Sequence, residues 1–154
     1  MRKILLALDA AKGSEACIKV CGRLFSAAPP KSVILLHVQQ LGGGPTLMHD
    51  RMGDSEIATL REELGRSGEL RRMNEKSRAM LESHRKKLQR KGIRAVRTIV
   101  KTGHVAEEIL STAQEERVEM IVLGNTRGTL AKLMMGDVVK AVVNEARVPV
   151  LLTR

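Results

Sequence analysis

The residues best suited to chemistry lie near the end of the chain, in LGNTRGTLAKLMMGD, from Leu123 to Asp137. Gly124, Gly128 and Gly136 punctuate it, Arg127 and Lys132 supply cations, and Asp137 closes it. A glycine-rich loop between an apolar run and a helix lets backbone N–H groups approach a phosphate closely. The same glycines can also serve only to turn the chain from a strand into a helix. No Lys-Ser/Thr pair follows the second glycine at Walker A spacing, so the loop is not a P-loop. A carboxylate, Asp9, directly follows the first apolar run, ILLAL. Asp at such a place accepts bonds from a ribose or a base, or it caps the turn that follows.

These groups can act together only if the chain brings them to one place. The apolar run at residues 3–8 reads as a strand covered on both faces. Cys17, Val20, Cys21 and Leu24 recur at helical spacing, with Ser14 as the expected N-cap and Pro29 and Pro30 as the stop. Residues 32–38, SVILLHV, form the second expected strand. GGGP and further glycines predict a mobile insertion over about 41–69, with one short helix near residues 57–64. Met73, Ser77, Met80, Leu81, His84 and Leu88 mark one face of a long helix that ends at Lys91 and Gly92. Residues 95–100 and 119–123 are further strands, and a helix with Ala106, Ile109, Leu110 and Ala113 inward lies between them. Asp137 opens a last helix, with Val138, Ala141 and Val142 inward, and the final strand runs from Val148 to Leu152.

Strands alternating with helices predict an α/β fold in a single domain spanning residues 1–154, with a parallel sheet and helices on both faces. In such sheets ligands sit beyond the carboxyl ends of the strands, where the strand order reverses. If the first and fourth strands are neighbours, Asp9 and Gly124 face one crevice. Pro149 cannot donate to a sheet ladder, which puts the last strand at an edge, and an apolar edge invites a second copy of the chain.

The formal net charge of +10 favours acidic partners, whereas a single aromatic residue, Phe25, leaves no stacking platform for single-stranded nucleic acid. The basic stretch between Arg61 and Arg97 reads as a solvated helix face, so nucleic acid is not the expected partner. No run is long enough for a membrane span, and the short N-terminal apolar run does not make a signal peptide; a cytoplasmic location is expected. Cys17 and Cys21, four apart on one helix, read as buried free thiols. No His, Cys, Asp and Glu cluster has metal-ligand spacing, and no nucleophile stands beside a base, so no catalytic residue is assigned.

ILLALD, VILLHV, GHVAEEIL, EMIVLGNTRG with MMGD, and RVPVLLTR, taken in order, resemble the universal stress protein family over all of the chain except about residues 41–69. The resemblance implies a doubly wound, five-stranded parallel sheet of order 3-2-1-4-5, of the adenine nucleotide alpha hydrolase-like kind. It also implies a homodimer joined through the last strand, and a stress-responsive regulatory role exercised on a ligand or a protein partner. Some members bind ATP. In those the first-strand Asp and the backbone at the end of the second strand meet the nucleotide, which correspond here to Asp9 and Val38. The phosphates lie on a Gly-x2-Gly-x9-Gly-Ser/Thr loop, which corresponds here to Gly124, Arg127, Gly128, Gly136 and Asp137.

The chain departs from that pattern. Three residues separate Gly124 from Gly128, seven separate Gly128 from Gly136, and Asp137 replaces the Ser/Thr. A carboxylate ~4 Å from a phosphate repels it by about 4 kcal/mol at a surface-like dielectric. That corresponds to about three decades of affinity at ~1.4 kcal/mol each. The expectation is a degenerate crevice with weak or absent ATP binding, suited to a smaller or less charged ligand. A magnesium ion between Asp137 and the phosphates would reverse the sign, and then the chain is an ATP switch.

Overall fold

The computed structural model describes residues 2–9, 12–40, 53–124 and 136–153. Five strands and five helices lie along them, a helix between each pair of successive strands and two between the second and third. They are β1 (Lys3–Ala7), α1 (Lys12–Leu24), β2 (Ser32–Gln39), α2 (Asp54–Arg66) and α3 (Glu69–Arg90). There follow β3 (Val96–Thr102), α4 (Val105–Glu115), β4 (Met120–Gly124), α5 (Asp137–Glu145) and β5 (Val150–Thr153). The strands form one sheet of order β3-β2-β1-β4-β5, every pair parallel. The predicted fold is the observed one.

The unbroken apolar run of β1 is explained by what lies on each side of it. Ile4 and Leu6 point to one face, where Cys17, Ile18 and Cys21 of α1 and Leu81 and Leu88 of α3 cover them. Leu5 points to the other, packed with Ile109 and Ala113 of α4 and Val142 of α5. All three of these β1 residues are fully buried. With side chains alternating along a strand, only a sheet covered on both faces buries three consecutive apolar residues. Burying a Leu or Ile side chain contributes about 1.5–3 kcal/mol, so this central strand anchors both halves of the core.

Several boundaries differ from those read in the sequence. The first helix begins at Lys12, so Ser14 lies inside its first turn and is not the N-cap. It stops at Leu24, well before the prolines. Phe25 N–H still bonds the Cys21 carbonyl (3.0 Å), but the Ser26 hydroxyl takes the Arg23 carbonyl (3.0 Å), a side-chain bond that competes with helix propagation.

In the region expected to be a mobile insertion, residues 54–66 are a regular helix, longer than the 57–64 predicted. Its start is fixed by Glu56, whose carboxylate accepts from the Gly53 N–H (3.0 Å), and Ile57 anchors it to the core. Gly65 lies within this helix. Gly68, at φ +72°, is the residue that separates α2 from α3, a conformation that glycine adopts at little cost. Residues 41–52 lie outside the described residues.

The last strand starts at Val150, two residues later than predicted. Pro149 stays outside it and contributes only its carbonyl, which accepts from Ile121 N–H (3.0 Å). β5 lies at the sheet edge, as the proline implied.

Candidate functional site

The register of the strands decides which residues share a rim. Ala7 of β1 is level with Leu36 of β2 and with Leu123 of β4. Two residues on from Ala7 is Asp9; two on from Leu36 is Val38; one on from Leu123 is Gly124. The carboxyl ends of β1, β2 and β4 therefore reach the same edge of the sheet, and the strand order reverses between β1 and β4. A cleft of about 850 Å³ opens there, lined by Asp9, Val38, Gly124, Gly136 and Asp137 among others. Five of the seven residues singled out in the sequence thus meet in one cavity. Arg127 and Gly128 lie outside the described residues.

Asp9 is exposed and held by the first turn of α1. Its N–H donates to the Ser14 hydroxyl oxygen (2.7 Å), and that hydroxyl lies 2.8 Å from the Asp9 carbonyl and 3.0 Å from Oδ1. Ser14 has one hydrogen, which goes to one of the two acceptors. The buried Ser14 therefore fixes the backbone of Asp9 and leaves its carboxylate at the mouth of the cleft. Sequence reasoning gave Ser14 a capping role and missed this one, because the bond depends on how β1 turns into α1.

The neighbouring backbone is equally fixed. Leu8 N–H donates to the Leu36 carbonyl (2.8 Å), and His37 donates from Nδ1 to the Leu8 carbonyl (2.8 Å). That bond assigns the proton of neutral His37 to Nδ1 and leaves Nε2 as an acceptor. His37 is thus a hydrogen-bonded residue lining the cleft.

Gly124 has a steric reason to be glycine. A Cβ there would lie 2.6 Å from the carbonyl oxygen and 2.7 Å from the carbonyl carbon of Gly13. The end of β4 and the start of α1 pass backbone to backbone, which closes the floor of the cleft between Asp9 and Gly124.

On the opposite side Gly136 is the N-cap of α5 and Asp137 its first helical residue. Asp137 opens the helix, as its place in the sequence implied. Gly136 has no side chain to bond the first-turn N–H groups, and the exposed Asp137 carboxylate instead places a full negative charge beside the positive end of the helix dipole.

The third wall comes from α3, with Met73, Lys76, Ser77, Met80 and His84. Ser77 is buried and accepts a bond from Gln39 Nε2 (2.9 Å), while Thr102 donates to Gln39 Oε1 (3.3 Å). Gln39, unremarked in the sequence, ties α3 to the ends of β2 and β3. His84 is 5% exposed, and its Nδ1 has no hydrogen-bond partner and lies 3.9 Å from the Glu15 carboxylate. Burial lowers its pKa from the ordinary imidazole value, an effect that nearby Glu15 partly opposes. Among the described residues no group of three or more His, Cys, Asp or Glu side chains could hold a metal ion, and no helix is long and apolar enough to cross a membrane.

A five-stranded sheet of this order, with a cleft at the switch point bounded by a strand-end aspartate and a glycine-led helix, defines a doubly wound α/β domain with a ligand-sized crevice. The model of the universal stress protein family matches residues 1–154, and the chain belongs to that family. Universal stress protein MJ0577 of Methanocaldococcus jannaschii is 27% identical, over 99% of this chain and 94% of that protein. The crystal structure of a hypothetical protein, PH0823, is similar with a TM-score of 0.73 at 27% identity, covering 99% of this chain and 94% of that one. A universal stress protein solved in complex with cAMP has the same fold, with a TM-score of 0.64 at 15% identity over 99% of this chain and 96% of that one. So does one from Archaeoglobus fulgidus solved in complex with dAMP, with a TM-score of 0.55 at 17% identity over 100% and 98% of the two chains.

Proposed function

We propose that this protein is a regulatory ligand-sensing module whose cleft takes an adenine nucleotide carrying a single phosphate, and that it holds ATP weakly. The observation that carries this reading is the meeting of Asp9, Val38, Gly124, Gly136 and Asp137 in one cleft, with a carboxylate where the phosphates would dock. The cleft volume lies within the range of small-molecule sites. Asp9 would accept from ribose hydroxyls, with Ser14 keeping its backbone in place. The main chain at Val38 would meet the base edge, and the apolar Val138 and Val139 the body of the ligand.

The N-terminus of α5 attracts phosphate through its dipole, while Asp137 repels every phosphate charge brought near it. The cost of about 4 kcal/mol for a charge pair at ~4 Å grows with the number of phosphates brought near. The cAMP and dAMP complexes of two structural relatives support a single-phosphate ligand. No covalent step is assigned, and the module would act through its ligand-bound state on a protein partner. A homodimer joined along the β5 edge would present two such clefts.

Asp137→Ser, assayed by titration calorimetry, tests the role of the charge. ATP affinity should rise by about two to three decades, matching ~4 kcal/mol of relieved repulsion at ~1.4 kcal/mol per decade, while AMP affinity changes less. Equal affinity changes for both nucleotides would remove Asp137 as the determinant.

A further inference from the structure

A second concavity, of about 590 Å³, lies between α1 and the C-terminal end of α3. Lys19 and Arg23 of α1 stand one helical turn apart on one side. Lys87 of α3 and Lys91 just beyond it stand one turn apart on the other. Buried Ile18 lies on its α1 side. Lys19, Arg23 and Lys91 make no ion pair among the described residues, so three of the four cations are uncompensated. A Cβ at Gly22 would run into Cδ and Cε of Lys91, so the Lys91 stem lies across α1 at a residue with no side chain. Glycine inside a helix costs about 0.5–1 kcal/mol against Ala, and here it makes room for a cation.

The fourth cation, Lys87, is ion-paired to Glu15. Glu15 borders both this groove and the main cleft, with His84 3.9 Å away on its other side and Ser14, which holds Asp9, next to it in the chain. An anion that draws Lys87 into the groove frees Glu15 to turn towards His84.

We infer that the groove between α1 and α3 is a binding site for an oligophosphate, and that it communicates with the main cleft through Glu15. Two facing pairs of cations at one-turn spacing suit a short chain of phosphates better than a single planar carboxylate. The inference does not rest on the nucleotide reading, since none of the four cations lines the main cleft.

Inorganic tripolyphosphate is the probe, titrated into the full chain by calorimetry and followed by NMR of the histidine rings. Binding should weaken about tenfold or more in Lys19→Glu/Arg23→Glu, two exposed positions. It should persist in Arg78→Glu/Arg94→Glu, which changes net charge equally at exposed positions outside the groove. Saturating probe should raise the titration midpoint of the His84 ring in the wild type, because Glu15 then faces it, and Glu15→Gln should abolish that shift. Equal losses in the two double variants would mean a diffuse field and no site. Tighter retention of duplex DNA or anionic vesicles than of tripolyphosphate would overturn the ligand class. A His84 ring unmoved by the probe would overturn the coupling.

Discussion

Gly124→Ala should destabilise the protein and open the cleft floor, although it adds one methyl group. The new Cβ would meet Gly13 main chain at 2.6 Å (oxygen), 2.7 Å (carbonyl carbon) and 3.1 Å (Cα). These are backbone atoms at the start of a packed helix and cannot rotate away. Relief requires β4 and α1 to separate by about 0.5–1 Å, which forfeits a quarter to a half of each affected dispersion contact. Overpacking of this kind costs about 1–3 kcal/mol. For a chain of this size that corresponds to a fall in Tm of about 2–12 °C. The assay is thermal and guanidinium unfolding of wild type and variant side by side. Gly65→Ala is the internal reference. It lies inside α2 with nothing within 4 Å of its would-be Cβ, and should stabilise by about 0.4–1 kcal/mol. If Gly124→Ala unfolds at the wild-type temperature, or moves in the same direction as Gly65→Ala, the close passage of β4 over α1 is not what requires glycine there.

Glu116 accepts from Arg97 (2.5 Å) and Lys3 (3.2 Å), and those bonds, Arg97's first, lower its pKa from the ordinary 4.5. A lowered carboxylate pKa contributes stability that is present above the ordinary value and lost as pH falls through the folded one. Glu116→Gln should therefore lower Tm at neutral pH and lose that effect in acid; an effect that grows in acid would contradict the pairing. For His84 the folded pKa lies below the ordinary 6.5, so stability should decline as pH drops below that value, and His84→Gln should flatten the decline in a Tm–pH series. Cys17 and Cys21 are buried, and the Cys17 thiol is held up by its hydrogen bond with Cys21 and by burial. Both should label with a thiol reagent only as fast as the protein unfolds, and rapid native labelling would refute their placement.

The sheet was legible because its central strands β1 and β2 are near-continuous apolar runs. ILLAL and VILLHV have no polar face to offer solvent, so layers on both sides were required before any topology was known. The cleft was legible because a carboxylate and a glycine stand just past two such runs, and parallel strands deliver their carboxyl ends to one edge. What stayed hidden depends on distance between segments. Ser14 looks like a cap until β1 is seen turning back onto it. Gln39 has no local signal, since its partners Ser77 and Thr102 are 38 and 63 residues away. The helix at residues 54–66 is longer than the 57–64 expected because the sequence does not distinguish Gly53, Gly65 and Gly68. Only Gly68 takes a left-handed φ, while Gly65 sits in the helix and Glu56 and Ile57 secure its start. Pro149 shows the opposite case: a missing N–H fixed both the edge position and the late start of β5.

The central claim, a crevice selective for low phosphate charge, is tested most directly by calorimetric titration of the wild-type chain with AMP and with ATP at one ionic strength. AMP should bind more tightly than ATP, and Asp9→Ala should abolish the heat of AMP. ATP binding more tightly than AMP, or AMP binding indifferent to Asp9, would contradict it.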